Sequence, residues 1–253
     1  MLEHSELLSA VLLTKSYSSP LVIFSILIAI FSSLTAFSSA ERCSSATLLS
    51  HKIAWNLFGA TSMGLGIWSM HFIGMLALNL PIPIRYDPFI TVTSIIPAIC
   101  ACSVVLWIMT KETIRRQYLL LSGVLLGSGI GLMHYTGMAA MHLNATVLHD
   151  NGLFYLSIIA AVALATVALA LQGGRLRQGN TLFFSKRQFL SALAMGSATS
   201  GMHYIAMSAV SFAENNSLET ITGINSSTLI MMVSLSVFLI LVLAILLPRL
   251  NFL

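Results

Sequence analysis

Charge is scarce in this sequence: acidic and basic side chains make up 8% of 253 residues, against about a quarter in a water-soluble domain. So few charges cannot clothe a globule in water. With 57% hydrophobic residues and a mean hydropathy of +0.91, the chain has lipid as its main solvent. The net charge of +4 is spread thinly over short connections, which excludes a basic face for nucleic acid. Cysteine is equally sparse. Cys43, Cys100 and Cys102 form no paired framework and no CxxC, so a disulfide scaffold and a thiolate cluster are both excluded. Acidic residues are missing where hydrolytic chemistry needs them, with none between Lys52 and Arg85 or between Arg116 and Leu148.

What the chain does have is long uncharged runs. A bilayer core about 30 Å thick takes roughly 20 helical residues, and apolar windows of that length lie near 20–38, 52–80, 88–110, 118–142, 153–171, 187–212 and 226–247. The expected fold is therefore all-α, a single polytopic membrane domain over residues 1–253 with seven transmembrane helices. Pro20, Pro88 and Pro248 fit helix ends, whereas Pro97 falls inside the third span and predicts a kink there. Arg42, Lys52, Lys111, Arg115, Arg116, Arg175, Arg177, Lys186, Arg187 and Arg249 fall on one side of these spans, and Lys15 and Arg85 on the other. By the positive-inside bias the N-terminus is outside and the C-terminus cytoplasmic. Asp87, Asp150, Glu214 and Glu219 fall in the outer loops.

Three segments align without a gap: MGLGIWSMHFIGMLA at 63–77, LGSGIGLMHYTGMAA at 126–140 and MGSATSGMHYIAMSA at 195–209. Each carries Gly second, Met-His-aromatic at positions eight to ten, Gly or Ala then Met at twelve and thirteen, and Ala last. His71, His134 and His203 are separated by 63 and 69 residues, so the repeating unit is a helix pair. Spans two, four and six then run outward in parallel, which suggests one leading helix plus three repeated hairpins. The histidines come to one depth in the outer half of the membrane. In a helix Met75, Met138 and Met207 lie about 40° round from the histidine four residues earlier, and Met70, Met133 and Met202 about 100° to the other side.

Three readings of the motif stay open. Packing explains the small residues, which let helices approach closely in lipid, and the methionines, which fill gaps. It explains the histidines poorly, because a polar ring within a membrane needs partners. A metal centre on His71, His134 and His203 suits them better. Neutral imidazole with thioether favours copper(I), while three imidazoles with an open fourth position also describe zinc. A zinc-dependent membrane hydrolase would need a general base from the outer loops, so no catalytic activity is expected. A carrier would need polar residues through the full depth. Met141 and His142 form a fourth Met-His pair, and His142 is a candidate entry ligand. Tyr135 and Tyr204 are candidate supporting residues around the histidines, although Phe72 occupies the equivalent place without a hydroxyl.

On these residues the chain resembles the MHYT family of bacterial membrane sensor domains. Met133-His134-Tyr135-Thr136 reproduces the tetrad, Met70-His71-Phe72-Ile73 and Met202-His203-Tyr204-Ile205 vary it, and the resemblance runs from about residue 20 to 247. It implies seven helices in the bacterial inner membrane and a metal, copper, near the extracytoplasmic face. The ligands it implies are His71, His134 and His203, with Met75, Met138 and Met207 secondary. The implied function is sensing of a diatomic gas (oxygen, carbon monoxide or nitric oxide), of redox state or of metal. A cytoplasmic output domain, for cyclic di-GMP turnover or a histidine kinase, often follows in the family. Copper handling and a purely structural signalling module are the remaining alternatives.

Overall fold

The computed structural model describes residues 12–111, 114–172, 185–214 and 222–246. His4, Arg175, Arg177, Glu219 and Arg249 lie outside them. The helices are α1 (Ser19–Ser45), α2 (Leu49–Ala77), α3 (Pro88–Thr93), α4 (Ile95–Met109), α5 (Arg116–Ala139), α6 (Asn151–Gln172), α7 (Lys186–Ser208) and α8 (Ser226–Leu246). Short strands lie between them: β1 (Ser16–Tyr17), β2 (Leu78–Asn79), β3 (Arg85–Tyr86), β4 (Met141–His142), β5 (Ala145–His149) and β6 (Val210–Glu214).

Among the described residues, five helical stretches are long and apolar enough to cross a membrane: Ser19–Ser45, Pro88–Met109, Arg116–Ala139, Asn151–Gln172 and Ser226–Leu246. That is fewer than the seven expected. The other two, α2 and α7, have 29 and 23 residues, so length is not what they lack. Their histidines, serines and glycines lower their hydropathy, and in α2 neighbouring helices screen these residues, while α7 keeps an exposed apolar strip at Phe189, Leu190 and Leu193. From Ser62 to Met75 every residue except Leu65 is buried. The chain is an all-α, multi-pass membrane protein.

Small residues decide which helices meet. A Cβ added to Gly64 of α2 would lie 3.1 Å from Ile99 Cα on α4, one on Gly127 of α5 2.8 Å from Val162 Cα on α6, and one on Gly196 of α7 3.1 Å from Ile30 Cα on α1. Three equivalent glycines thus seat three outer helices. Each outer helix packs on two motif helices, α1 on α7 and α2, α4 on α2 and α5, and α6 on α5 and α7. The three motif helices α2, α5 and α7 also touch one another at the centre. This corrects the expected order of one leading helix and three hairpins. The first helix belongs to the ring, giving three hairpins α1–α2, α4–α5 and α6–α7, with α8 trailing outside. The reason is steric, since the glycine of the third repeat receives Ile30 of α1.

Helix α8 buries only Leu229, Val233, Ser236 and Ile240, a single stripe at helical spacing. It packs mainly on α2, where Ser236 Oγ and Ser69 Oγ are 2.8 Å apart. The expected kink at Pro97 takes the form of a break at Ser94 between α3 and α4. The Trp68 indole N–H of α2 reaches across to donate to the Thr91 carbonyl at 2.8 Å, satisfying backbone that the break releases.

The motif helices end earlier than expected. Helix α2 stops at Ala77, α5 at Ala139 and α7 at Ser208, and each is followed by a short strand. β1 pairs with β2, β3 with β4, and β5 with β6, all antiparallel. Asp87, Asp150 and Asn225 begin the returning helices, accepting from the backbone N–H of Ile90, Leu153 and Thr228 at 2.8, 2.8 and 2.9 Å. These are N-caps, which satisfy otherwise orphaned donors.

Gly127→Ala presses a methyl group against Val162 backbone. We predict a loss of about 1–3 kcal/mol of stability, read by unfolding in detergent. Gly131→Ala, whose new methyl meets nothing nearer than Met202 Cε at 3.8 Å, is expected to change stability little.

Candidate metal centre

Each motif histidine stands near the C-terminal end of its helix: His71 is six residues before the end of α2, His134 five before that of α5, and His203 five before that of α7. The parallel course of these helices brings the rings to one level. They are 0%, 1% and 1% exposed, and their ring centroids are 4.9–5.1 Å apart with interplanar angles of 78–88°. The Nδ1 atoms form a nearly equilateral triangle, 3.1 Å from His134 to His71 and 3.2 Å on the other two sides.

A triangle of imidazole nitrogens cannot close as a ring of hydrogen bonds. Neutral imidazole has one N–H and one lone pair on different atoms, so no Nδ1 can donate and accept at once. The three Nε2 atoms are also buried without a hydrogen-bond partner. A shared cation accepts all three Nδ1 lone pairs, and the dimensions fit one. A triangle with 3.2 Å sides has its centre about 1.8 Å from each corner, just inside the roughly 2.0–2.1 Å of an imidazole–metal bond. His71, His134 and His203 would each offer one nitrogen to such an ion. Among the described residues, this is the group of histidine, cysteine and acidic side chains arranged to hold a metal.

The other expected residues fall into distinct surroundings. Met70, Met75, Met133, Met202 and Met207 are buried, whereas Met138 is half-buried. The Met202 methyl packs toward Gly131 of α5, among the motif helices. Met75 lines a crevice of about 490 Å³ between α1, α2 and α8, with Phe24, Ile73, Ile230 and Val233. Tyr135 and Tyr204 set their rings edge-on to His134 and His203 at 4.8 Å. Their hydroxyls meet the outer helices instead, Tyr135 with Ser157 Oγ at 3.1 Å and Tyr204 with Ser25 Oγ at 2.8 Å. Phe72 needs no such partner and packs between Trp68 and Tyr86. His142 lies outside the cluster. The helix expected to hold it has ended, and in β4 it pairs with Arg85 and donates from Nδ1 to the Thr222 carbonyl at 3.2 Å.

Lys15 is a residue that sequence patterning left aside. Its Nζ donates to the carbonyls of Met207 and Val210 at 2.8 and 2.5 Å, so a cation caps the C-terminal end of the helix that carries His203. Its isolation as one of two outer basic residues was the available signal. Partial burial lowers its pKa from the usual lysine value. Of the acidic residues considered as general bases, Asp87 and Asp150 are committed as N-caps.

A buried three-histidine centre inside a multi-pass bundle defines a metal-binding membrane sensor domain. The model of the MHYT family, described as a bacterial signalling protein N-terminal repeat, matches residues 64–122 and again 127–184. The chain belongs to that family. It is 41% identical over 203 residues to the bifunctional diguanylate cyclase/cyclic di-GMP phosphodiesterase MucR of Pseudomonas aeruginosa, covering 79% of this chain and 29% of the relative. It is 35% identical over 200 residues to the cyclic di-GMP phosphodiesterase NbdA of the same species, covering 79% and 25%. The signaling protein YkoW of Bacillus subtilis is 33% identical over 199 residues, covering 78% and 24%. The chain thus spans less than a third of the length of these relatives, and what it shares with them is the sensor repeat. These residues carry no catalytic activity of their own. No solved structure matches the chain.

Lys15→Met removes the cap on α7 and leaves two carbonyls short of a donor. We predict a loss of about 1–2 kcal/mol, with faster amide exchange across Val210–Glu214 than in the wild type.

Proposed function

We propose that this domain senses a small ligand or a redox change at a copper ion held by His71, His134 and His203. The observation that carries this reading is the Nδ1 triangle, which leaves three buried lone pairs without any other common acceptor. Copper(I) fits better than zinc on electrostatic grounds. The ligands are neutral, and the motif helices bring no carboxylate to the site. A monovalent ion is cheaper to bury without a counter-charge than a divalent one, because the desolvation cost rises steeply with charge. The motif helices also carry buried methionines, Met70, Met133 and Met202 directly before the histidines, and thioether is a donor that suits copper(I).

Copper held by His71, His134 and His203 would supply a binding point for a diatomic gas and a one-electron redox couple. The protein supplies the rest. It holds the three imidazoles, excludes water through the closed ring of helices, and covers the outer end with paired strands. A change in the spacing of the imidazoles shifts α2, α5 and α7 against one another. Helix α2 passes that shift to α8 through Ser69 and Ser236. Signalling of this kind requires the ligand to favour one of two packings by differential contacts.

All seven long helical segments cross the membrane in this reading, with α2 largely shielded from lipid by its neighbours and α7 facing it through Phe189, Leu190 and Leu193. The N-terminus is outside and α8 descends to the cytoplasm. The output is a cytoplasmic cyclic di-GMP module of the kind named in the relatives MucR and NbdA. Alkaline phosphatase fused after residue 82 or 145 is expected to be active, and fused after 112 or 182 inactive. The opposite pattern would reverse the orientation.

The metal assignment is tested by elemental analysis of detergent-purified protein. We expect about one copper per chain in the wild type and less than about a tenth of that when all three histidines are alanine. Equal metal in the triple variant would falsify the ligand set, and stoichiometric zinc would overturn copper.

A further inference from the structure

The Nε2 side of each imidazole faces away from the triangle, and for two of the three rings the facing residue is a glycine. A methyl group on Gly74 would run into His203 Nε2 and stand 3.1 Å from Cε1 of that ring. One on Gly137 would run into His71 Nε2 and stand 3.4 Å from its Cε1. Each glycine lies three residues after the histidine of its own helix, so it serves the histidine of a neighbour. His203 of α7 rests on α2, and His71 of α2 rests on α5.

Glycine is not demanded throughout these helices. A methyl group on Gly131 of α5 or Gly201 of α7 would meet nothing nearer than 3.8 and 3.9 Å. Other glycines of these helices, Gly64, Gly127 and Gly196 among them, are closely approached by a neighbouring helix, whereas at Gly74 and Gly137 the approaching group is an imidazole.

We propose that Gly74 and Gly137 are positioning residues of the metal centre, letting the neighbouring helix's imidazole reach the common axis and so setting the size of the Nδ1 triangle. The inference rests on the metal reading above for its function. The glycine–histidine contacts can be tested without metal.

The test uses the whole chain in detergent. Copper(I) affinity is measured against a chromogenic chelator for wild type, Gly74→Ala, Gly137→Ala, Gly131→Ala and Gly201→Ala. We expect at least tenfold weaker binding for the first two variants and less than twofold change for the last two. Thermal unfolding of the metal-free proteins supplies a second readout. The drop in Tm caused by Gly74→Ala should at least halve when His203 is alanine and persist when His134 is alanine. Gly137→Ala should behave likewise with His71→Ala. Wild-type copper affinity in both glycine variants, or a Tm drop undiminished by removing the facing ring, overturns the proposal. Should a single glycine variant fail to fold, recovery of folding on removing the facing histidine supports it, and failure to recover counts against it. A wild type that binds no copper(I) defeats the metal reading, while the pairing of each glycine with its histidine is still decided by the unfolding data.

Discussion

Three imidazole rings meeting in an apolar interior is the constraint on which the rest of the molecule turns. Each ring brings one lone pair and one N–H into surroundings that reward neither unless paired. With three Nδ1 atoms 3.1–3.2 Å apart, hydrogen bonding among themselves cannot satisfy the set. The arrangement therefore needs a common electrophile, and it needs three helices held parallel and in register to within an ångström or so. Glycine achieves this by letting backbone, not side chain, fix the distances. Gly64, Gly127 and Gly196 seat the outer helices against the inner three, while the aromatic residue after each histidine limits its ring from one side.

Much of this was legible in the repeat. Three Met-His-aromatic segments in one frame, on helices running the same way, were enough to place His71, His134 and His203 at one depth. Their convergence was not legible, because spacing fixes depth along a helix and says nothing about which helices share an axis. The order of the hairpins was not legible, because hydropathy says which segments are apolar and nothing about which apolar surface fits which. Ile30 and Gly196 meet by shape, and only coordinates reveal that α1 closes the ring while α8 stands outside. Two of the three motif helices, α2 and α7, also fell below the apolarity of a spanning helix while α5 did not, since residues that face other helices have no need to match hydrocarbon.

The expected supporting residues fared according to their polar atoms. Tyr135 and Tyr204 were read as partners of the histidines, yet their hydroxyls lie with Ser157 and Ser25 on outer helices. Aromatic edge contact is compatible with both locations, so spacing alone could not choose. His142 illustrates how much a helix boundary matters. Continued helix would have kept it on the face of His134; instead α5 ends at Ala139 and the chain turns to pair with Arg85. Lys15 stood out by its isolation, but its capping role did not, since its partners are carbonyl groups that any sequence possesses.

The trailing helix gives the threefold arrangement a direction. A change at the axis acts on α2, α5 and α7 alike, and a perfectly symmetric ring would have no preferred output. Helix α8 breaks that equivalence by packing mainly on α2, with Ser236 against Ser69 two residues before His71. Its buried stripe is narrow, and a broad face including Met231, Leu235 and Phe238 is exposed, so few contacts oppose its displacement. The crevice lined by Met75 lies along the same seam and leaves room for α8 to move relative to α2. A narrow contact beside an open seam makes α8 the element whose position costs least to change. That is the physical requirement for carrying a signal from a rigid centre.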